Sequence, residues 1–343
     1  MRALYLKQAG DPPVLEILDV PTPQPGPRQA LVRVTACGFC HHDRSVMAGV
    51  LRRGVAPNVI LGHEISGVVE ETGGDVTSLK PGDKVVSILT EACGHCDRCL
   101  NWREHRCRNG EGIGHGRDGG FAEYVALSEH CLVKIPEGLD PIGAALLACP
   151  MGVALQAVQE TAQVTPEETV VVTGAGGGLG AHAVQAAAAL GARVLAVSSS
   201  PEKENTLREL GAAEVLDNNG LDFAELVMAM TRDEGADVVI DTVGSALFPS
   251  TLRSLAQYGR LVLLGEIQGE TVSLNPAEII FRDAQVLGAS GVSRATVEQV
   301  GVMALDGRLR PVVDLELPLE QAAEAYRLVS ERRPTGRIVL LPG

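Results

Sequence analysis

"VVVTGAGGGLGAHAVQ", residues 170–185, decides how this chain is read. A β-branched run, Val170–Val172, breaks into a cluster of glycines. The cluster then opens into an alanine-rich stretch of helical composition. A glycine run alone says little, but one set between a strand and a helix points to dinucleotide binding. There the backbone must approach a pyrophosphate closely, and a side chain would obstruct it. The helix N-terminus also offers unpaired N–H groups to the anion. The spacing Gly174-x-x-Gly177-x-x-Gly180, with Gly176, Gly178 and Leu179 between, suits that use.

On either side of this turn, strands and helices alternate. "GVALQAVQETAQV" reads as a helix before it and "RVLAVSSS" as a strand after it. Then come helix "PEKENTLRELG", short strand "EVLD", helix "DFAELVMAM", strand "ADVVIDTVG", helix "LFPSTLRSLAQYG" and strand "RLVLLG". Such alternation predicts an α/β domain with a doubly wound parallel sheet. Strand ends at "DTVG" (241–244, with Thr242 and Val243) and "LLGE" (263–266, with Gly265) are expected on the nicotinamide side of the site. An NAD site usually carries Asp or Glu at the tip of the second strand. Here that strand ends in "VSSSPEK", with Ser198, Ser199, Ser200 and Lys203 suited to a 2′-phosphate, so NADP is expected over NAD.

Residues before about 150 have a different texture. "QALVRVTACG", "ISGVVEETG", "DKVVSIL" and "FAEYVAL" are short β-branched runs between Gly, Pro and Asp turns, and "PTPQPGP" is a rigid loop. The last fifty residues offer helices "SRATVEQVGVMALDG" and "EQAAEAYRLVSER" and a strand "GRIVLL". This tail is expected to return to the first domain.

The 343 residues favour two domains. Aromatics make up 3%, so the cores must be built from Val, Leu, Ile and Ala. A net charge of −14 argues against a nucleic-acid or anionic-membrane surface. The start of the chain lacks the apolar core of a signal peptide. The longest weakly charged stretch, 169–192, is broken by glycines, which argues against a membrane span.

Four of the eight cysteines stand in "CGHCDRCLNWREHRC", as Cys93, Cys96, Cys99 and Cys107. The spacing C-x2-C-x2-C-x7-C can close a tetrahedral shell around a structural zinc; an iron–sulfur cluster or unrelated thiols are the alternatives. Such a site stabilises its loop by about 10 kcal/mol. His95 and His105 read as solvated loop residues beside it. Cysteines at metal spacing suggest a reducing, cytoplasmic setting rather than a disulfide framework.

Three further segments carry metal-binding residue types: "VTACGFCHHD" (34–43), "ILGHEISG" (60–67) and "LLACPMG" (146–152). Singly, a His-Glu pair or a buried Cys is more often structural. Taken together, Cys40, His63 and Cys149 would form a Cys2His shell of the open, catalytic zinc type. Spacing alone does not bring them together.

The whole chain resembles the zinc-containing medium-chain dehydrogenase/reductase superfamily, the alcohol dehydrogenase family. "CHHD" at 40–43, "GHE" at 62–64, the four-cysteine lobe and the glycine turn occur in that family's order. The resemblance implies a Rossmann sheet (150–289) and a β-rich, GroES-like, partly barrel-shaped catalytic domain (1–149 and 290–343), with the active cleft between them. It implies two zincs per chain and NADP or NAD. Cys40, His63 and Cys149 would be the catalytic ligands, Glu64 a carboxylate able to approach the metal, and Asp43 the acceptor that orients His63. His41 would face the pyrophosphate, and Cys37 would be a packed thiol. The activity implied is reversible hydride transfer between nicotinamide and an alcohol, aldehyde or ketone. Homodimers or homotetramers, joined through the cofactor domain, are the family's assemblies.

Two positions depart from the pattern. His42 stands where the family usually has Ser or Thr to take the substrate proton, and Ser45 where a relay histidine often stands. Neutral imidazole can do the same work. The glycine turn is also similar to quinone and acryloyl-CoA reductases, so reduction of an enoyl thioester or a quinone is the rival activity. A non-catalytic NADP(H)-binding zinc protein is the second rival.

Overall fold

The structure, a computed structural model, describes residues 1–218, 222–266 and 269–343. Two compact units result: Met1–Gly152 with Gly291–Gly343, and Val153–Ser290.

In the second unit, six parallel strands are seen among the described residues. Their order is Ala212–Asp217, Arg193–Ser198, Thr169–Val172, Ala236–Asp241, Leu255–Leu263 and Gln285–Gly288. This is the doubly wound order, with direction reversing beside Thr169–Val172, where ligands bind in such sheets. The strands are continuous apolar runs because both faces are covered: Val171, Leu195, Val239 and Leu261 are all fully buried. The helix Gly178–Ala189 follows the glycine turn and buries Ala181, Ala183, Ala186 and Ala187. Their small side chains let the helix lie close to the sheet.

Two expectations about local structure are corrected. "SLAQYG" does not continue a helix. The helix is Phe248–Arg253, and Leu255 already belongs to the strand Leu255–Leu263. The register shifts between Ala236 and Val238 and Tyr258 takes a positive φ of 62°, so an irregular strand start hides the period-2 pattern. The helix at "GVALQAVQETAQV" is also not uniform: its α-turn Val153–Gln156 runs into a wider π-turn segment, Ala157–Thr161.

The first unit is β-rich. Its main sheet runs Val313–Pro318, Arg337–Leu341, Gln29–Phe39, Glu64–Thr72, Lys84–Ser87, Leu132–Lys134, with Tyr124–Ser128 also paired to Gln29–Phe39. Gln29–Phe39 is therefore its hub, and it buries Val32, Val34 and Phe39. The Arg337–Leu341 strand pairs antiparallel to it, with Ile338 opposite Phe39. This pairing sets Arg337 beside the end of the hub strand, where the metal-ligand types begin. No helix among the described residues is long and apolar enough to cross a membrane.

Candidate metal centre and nucleotide turn

The chain leaves the hub strand at Phe39 and turns at once into the short helix His41–Met47. Cys40 caps this helix: its Sγ accepts from the His42 N–H (3.3 Å), while the Asp43 carboxylate accepts from the Cys40 N–H (2.9 Å). A reciprocal cap of this kind fixes both side chains. "CHHD" thus folds as a cap that holds a thiol rather than a hydroxyl at its N-terminus.

Asp43 is fully buried and ties the start of the His41–Met47 helix to the Gly62–His63 segment. One oxygen takes the Cys40 N–H; the other takes the Gly62 N–H (3.3 Å) and lies 3.5 Å from His63 Nδ1. His63 Nε2 is thereby left pointing the other way, 3.9 Å from Glu64 Oε1. Cys149 arrives from the segment Leu147–Gly152. Its backbone is extended (φ −119°, ψ 125°), because the following Pro150 disfavours a helical conformation at the preceding residue. Ligand atoms of Cys40, His63, Glu64 and Cys149 all lie within 4.8 Å of one another, and all four belong to the first unit.

The electrostatics are those of a buried, mutually dependent cluster. Donation from the Cys149 thiol, aided by Arg337 and His63, pulls the Cys40 thiol well below its ordinary range; Cys149 is correspondingly pushed up. Burial raises Glu64 to about 8 against the pull of Arg337. His63 goes well above the usual imidazole range: burial opposes its charge, but Asp43 and Cys40 outweigh that. Burial, with His63 nearby, holds His42 low. Two buried thiols and a carboxyl group that resist ionising side by side gather where a cation would stabilise their charged forms. Two soft sulfurs and an imidazole suit zinc, and Glu64 Oε2 has no hydrogen-bond partner among the described residues.

The sequence pattern missed two residues here. Arg337 is buried and places its guanidinium 3.0 Å from Glu64 Oε1. A charged residue opening an otherwise apolar strand was the available signal. His115 accepts no sequence motif, yet its Nδ1 lies 3.1 Å from His42 Nε2. His41 begins the helix half-buried, its Nε2 enclosed and without a hydrogen bond among the described residues. Cys37 is fully buried against Gly62 and Gly120.

Cys93, Cys96, Cys99 and Cys107 form a second cluster whose sulfurs also lie within 4.8 Å of one another. Cys96 Sγ is 3.5 Å from Cys99 Sγ and 3.9 Å from Cys107 Sγ. Four sulfurs about 2.3 Å from a tetrahedral zinc stand about 3.8 Å apart. The lobe therefore fits the ion closely. Backbone N–H groups pull Cys96 down to about 6, while burial pushes Cys99 up to about 12. His95 is exposed and bonds the Cys93 carbonyl (2.8 Å). His105 is not a solvated loop residue: it is half-buried against Gly291, and burial beside Arg106 lowers it to about 4.

In the second unit, the glycine turn is shaped by its neighbours. Gly174 has φ +58°, and a Cβ there would stand 2.7 Å from Thr242 Oγ1 and 2.9 Å from Val243. Thr242 donates to the Thr173 carbonyl (2.7 Å), and Thr173 donates to Asp241 (2.6 Å), joining two strand ends. Gly265 backs onto Thr242. Gly176, Gly177, Gly178, Leu179 and Gly180 complete the turn and the start of its helix. Ser198 Oγ accepts from the Ser200 N–H (3.1 Å), with Ser199 between them. Lys203 is only 5% exposed; its stem lies along Gly176 and its Nζ donates to the Gly176 carbonyl (3.4 Å). This is not the posture of a solvated helix lysine.

The chain is similar over its full length to known proteins. Residues 26–137 match the alcohol dehydrogenase GroES-like domain, and residues 178–305 match the zinc-binding dehydrogenase domain. An acryloyl-coenzyme A reductase of Sulfurisphaera tokodaii is 31% identical over 94% of this chain and 95% of its own. A crystal structure of an NAD-dependent alcohol dehydrogenase is 36% identical with a TM-score of 0.93, covering 100% of both chains. A protein from Sinorhizobium meliloti 1021, whose crystal structure is bound to NADP, is 30% identical with a TM-score of 0.86 over 99% of both chains. Zinc-type ligands gathered in a GroES-like unit, a glycine turn in a doubly wound one and full-length relatives of this identity lead to one assignment: the chain belongs to the zinc-containing medium-chain dehydrogenase/reductase superfamily of oxidoreductases.

Proposed function

We propose that the protein is a zinc-dependent, NADP-linked alcohol dehydrogenase that moves a hydride between nicotinamide and an alcohol, aldehyde or ketone. The observation that carries this reading is the meeting of Cys40, His63 and Cys149 around one point, with Glu64 beside it. Three protein ligands leave a position for substrate. Zinc held there would supply a Lewis acid for the substrate oxygen. Asp43 lies 3.5 Å from His63 Nδ1 and so would leave Nε2 to hold the metal. Arg337 balances the buried carboxylate of Glu64. His42 Nδ1, the ring nitrogen that His115 leaves open, takes the hydroxyl proton during oxidation and returns it during reduction.

Reduction of an activated C=C bond in an enoyl thioester is the second reading. His42 in place of a hydroxyl favours it, as does the similarity to acryloyl-coenzyme A reductase. The deciding assay follows NADPH oxidation by zinc-verified protein with aldehydes and ketones in one arm and enoyl thioesters in the other. Turnover confined to the thioester arm rejects the alcohol dehydrogenase reading. No turnover in either arm, with NADPH still bound, leaves the non-catalytic one.

The coenzyme preference rests on the serine-rich strand end and Lys203. Lys203→Ala is expected to weaken NADPH about tenfold and NADH little, as loss of a hydrogen bond to a charged group would. Equal affinity of the unaltered protein for both, measured by fluorescence titration, contradicts the preference. We also propose a homo-oligomer joined through the second unit. Its last strand, Gln285–Gly288, forms a sheet edge, flanked by Ile280 and Phe281, which are 66% and 80% exposed. Light scattering that returns the mass of one 36.0 kDa chain removes this proposal.

A further inference from the structure

His115 lies outside every motif, yet its ring is held at both nitrogens. Nε2 is 3.1 Å from the carbonyl oxygen of Arg53, and Nδ1 is 3.1 Å from His42 Nε2. A carbonyl oxygen only accepts, so His115 Nε2 must carry a proton. In the neutral ring, His115 Nδ1 is then the lone-pair nitrogen and can only accept. His42 Nε2 must donate to it. A neutral His42 that keeps its proton on Nε2 has its lone pair on Nδ1. The direction of the whole chain is set by one backbone carbonyl.

The backbone around His115 is held as firmly as the ring. The His115 carbonyl accepts from the Ala56 N–H (2.8 Å), and its own N–H donates to Gly112 (3.3 Å). The turn lies directly on the metal-ligand segment: at Gly114 (φ +66°) a Cβ would stand 2.6 Å from the Gly62 carbonyl oxygen, next to His63. On the other side, a Cβ on Gly54 would stand 3.0 Å from His115 Nε2. The His42 ring in turn meets the His63 ring edge-on, with centroids 5.2 Å apart. Arg53, His115, His42 and His63 thus form a continuous path into the metal centre, all within the first unit.

We infer that His115 is a positioning residue that fixes the tautomer of His42, so that His42 Nδ1 presents its lone pair as the proton acceptor in hydride transfer. The inference rests on the function proposed above for His42. It assigns to a residue from a distant turn the ordering role that a bound partner commonly plays for a working histidine.

The test uses the full-length, zinc-loaded protein with 15N-labelled imidazoles and long-range 1H–15N correlation spectra. His42→Gln identifies the His42 signals. The expected result is a neutral His42 protonated at Nε2. In His115→Phe both tautomers should be populated, and kcat should fall about tenfold with two zincs retained and nicotinamide KM within about twofold, the range seen when the partner of a working histidine is lost. His115→Gln, whose amide can accept from His42 and donate to Arg53, should restore both the tautomer and most of kcat. A His42 protonated at Nδ1 in the unaltered protein overturns the inference, as does an unchanged tautomer in His115→Phe. If His115→Phe does not fold, the unaltered spectrum and His115→Gln decide. A tautomer that shifts as expected in a protein with no turnover supports the positioning role and rejects the activity instead.

Discussion

Cys149→Ala is expected to take the protein from two zincs per chain to one and to lower kcat about a thousandfold, on the scale of losing a main electrostatic stabiliser of the transition state. The reason is geometric. Cys149 is buried, and its ligand atom lies within 4.8 Å of those of Cys40, His63 and Glu64. Removing it leaves one thiolate, one imidazole and a carboxylate engaged by Arg337. Those groups still attract a cation but no longer enclose it. Folding should survive, because an alanine at this extended position loses little buried surface and disturbs no backbone hydrogen bond. Elemental analysis, single-turnover hydride transfer and a thermal melt check the three parts separately. A variant that keeps two zincs, or that keeps its rate with one, contradicts the proposed role of Cys149.

Cys99→Ser should act on stability instead. The four sulfurs of the lobe lie within 4.8 Å of one another, with Cys96 Sγ at 3.5 and 3.9 Å from two of them, near the spacing tetrahedral zinc requires, and Cys99 is the most buried of the four. The segment from 93 to 107 holds only the short helices Asp97–Leu100 and Glu104–Arg106, so without metal little else would order it. Structural zinc in small folds contributes about 10 kcal/mol, and the loss of even half of that in a chain of this size lowers the melting temperature by about 7 °C. Hydrogen exchange across 90–112 should rise sharply while the Gly178–Ala189 helix stays protected. Rapid exchange confined elsewhere, or an unchanged melt, would mean that the lobe is held by packing and not by an ion.

The contrast between these two sites explains what the sequence could show. The lobe is local: its four cysteines fall within fifteen residues, so spacing alone describes it. The glycine turn is equally local, since a strand, a turn and a helix are adjacent along the chain. The cluster of Cys40, His63 and Cys149 is not. Cys40, His63 and Cys149 were joined by family resemblance, not by any period in the sequence. Arg337 and His115 escaped that reading. The first reaches Glu64 through antiparallel pairing of strands about 300 residues apart, and the second through a glycine-rich turn laid across Gly62. Tertiary pairing of this sort leaves no local trace. The same limit appears at Leu255, where an irregular strand start continues the apolar spacing of the helix before it.

The pairing of Arg337–Leu341 with Gln29–Phe39 also orders events during synthesis. The ribosome completes Cys40 and His63 early, then Cys149, and only much later the arginine that balances Glu64. At ordinary elongation rates the interval between Cys40 and Arg337 is about 15 to 60 s. Throughout it, Glu64 lacks its counter-ion and one neighbour of the hub strand is missing. The four-cysteine lobe faces no such delay, and the zinc proposed for it would bind almost as soon as the lobe leaves the exit tunnel. The two metals should therefore be acquired in sequence, the scaffold ion first. Nascent chains halted before residue 337 are where that order can be seen.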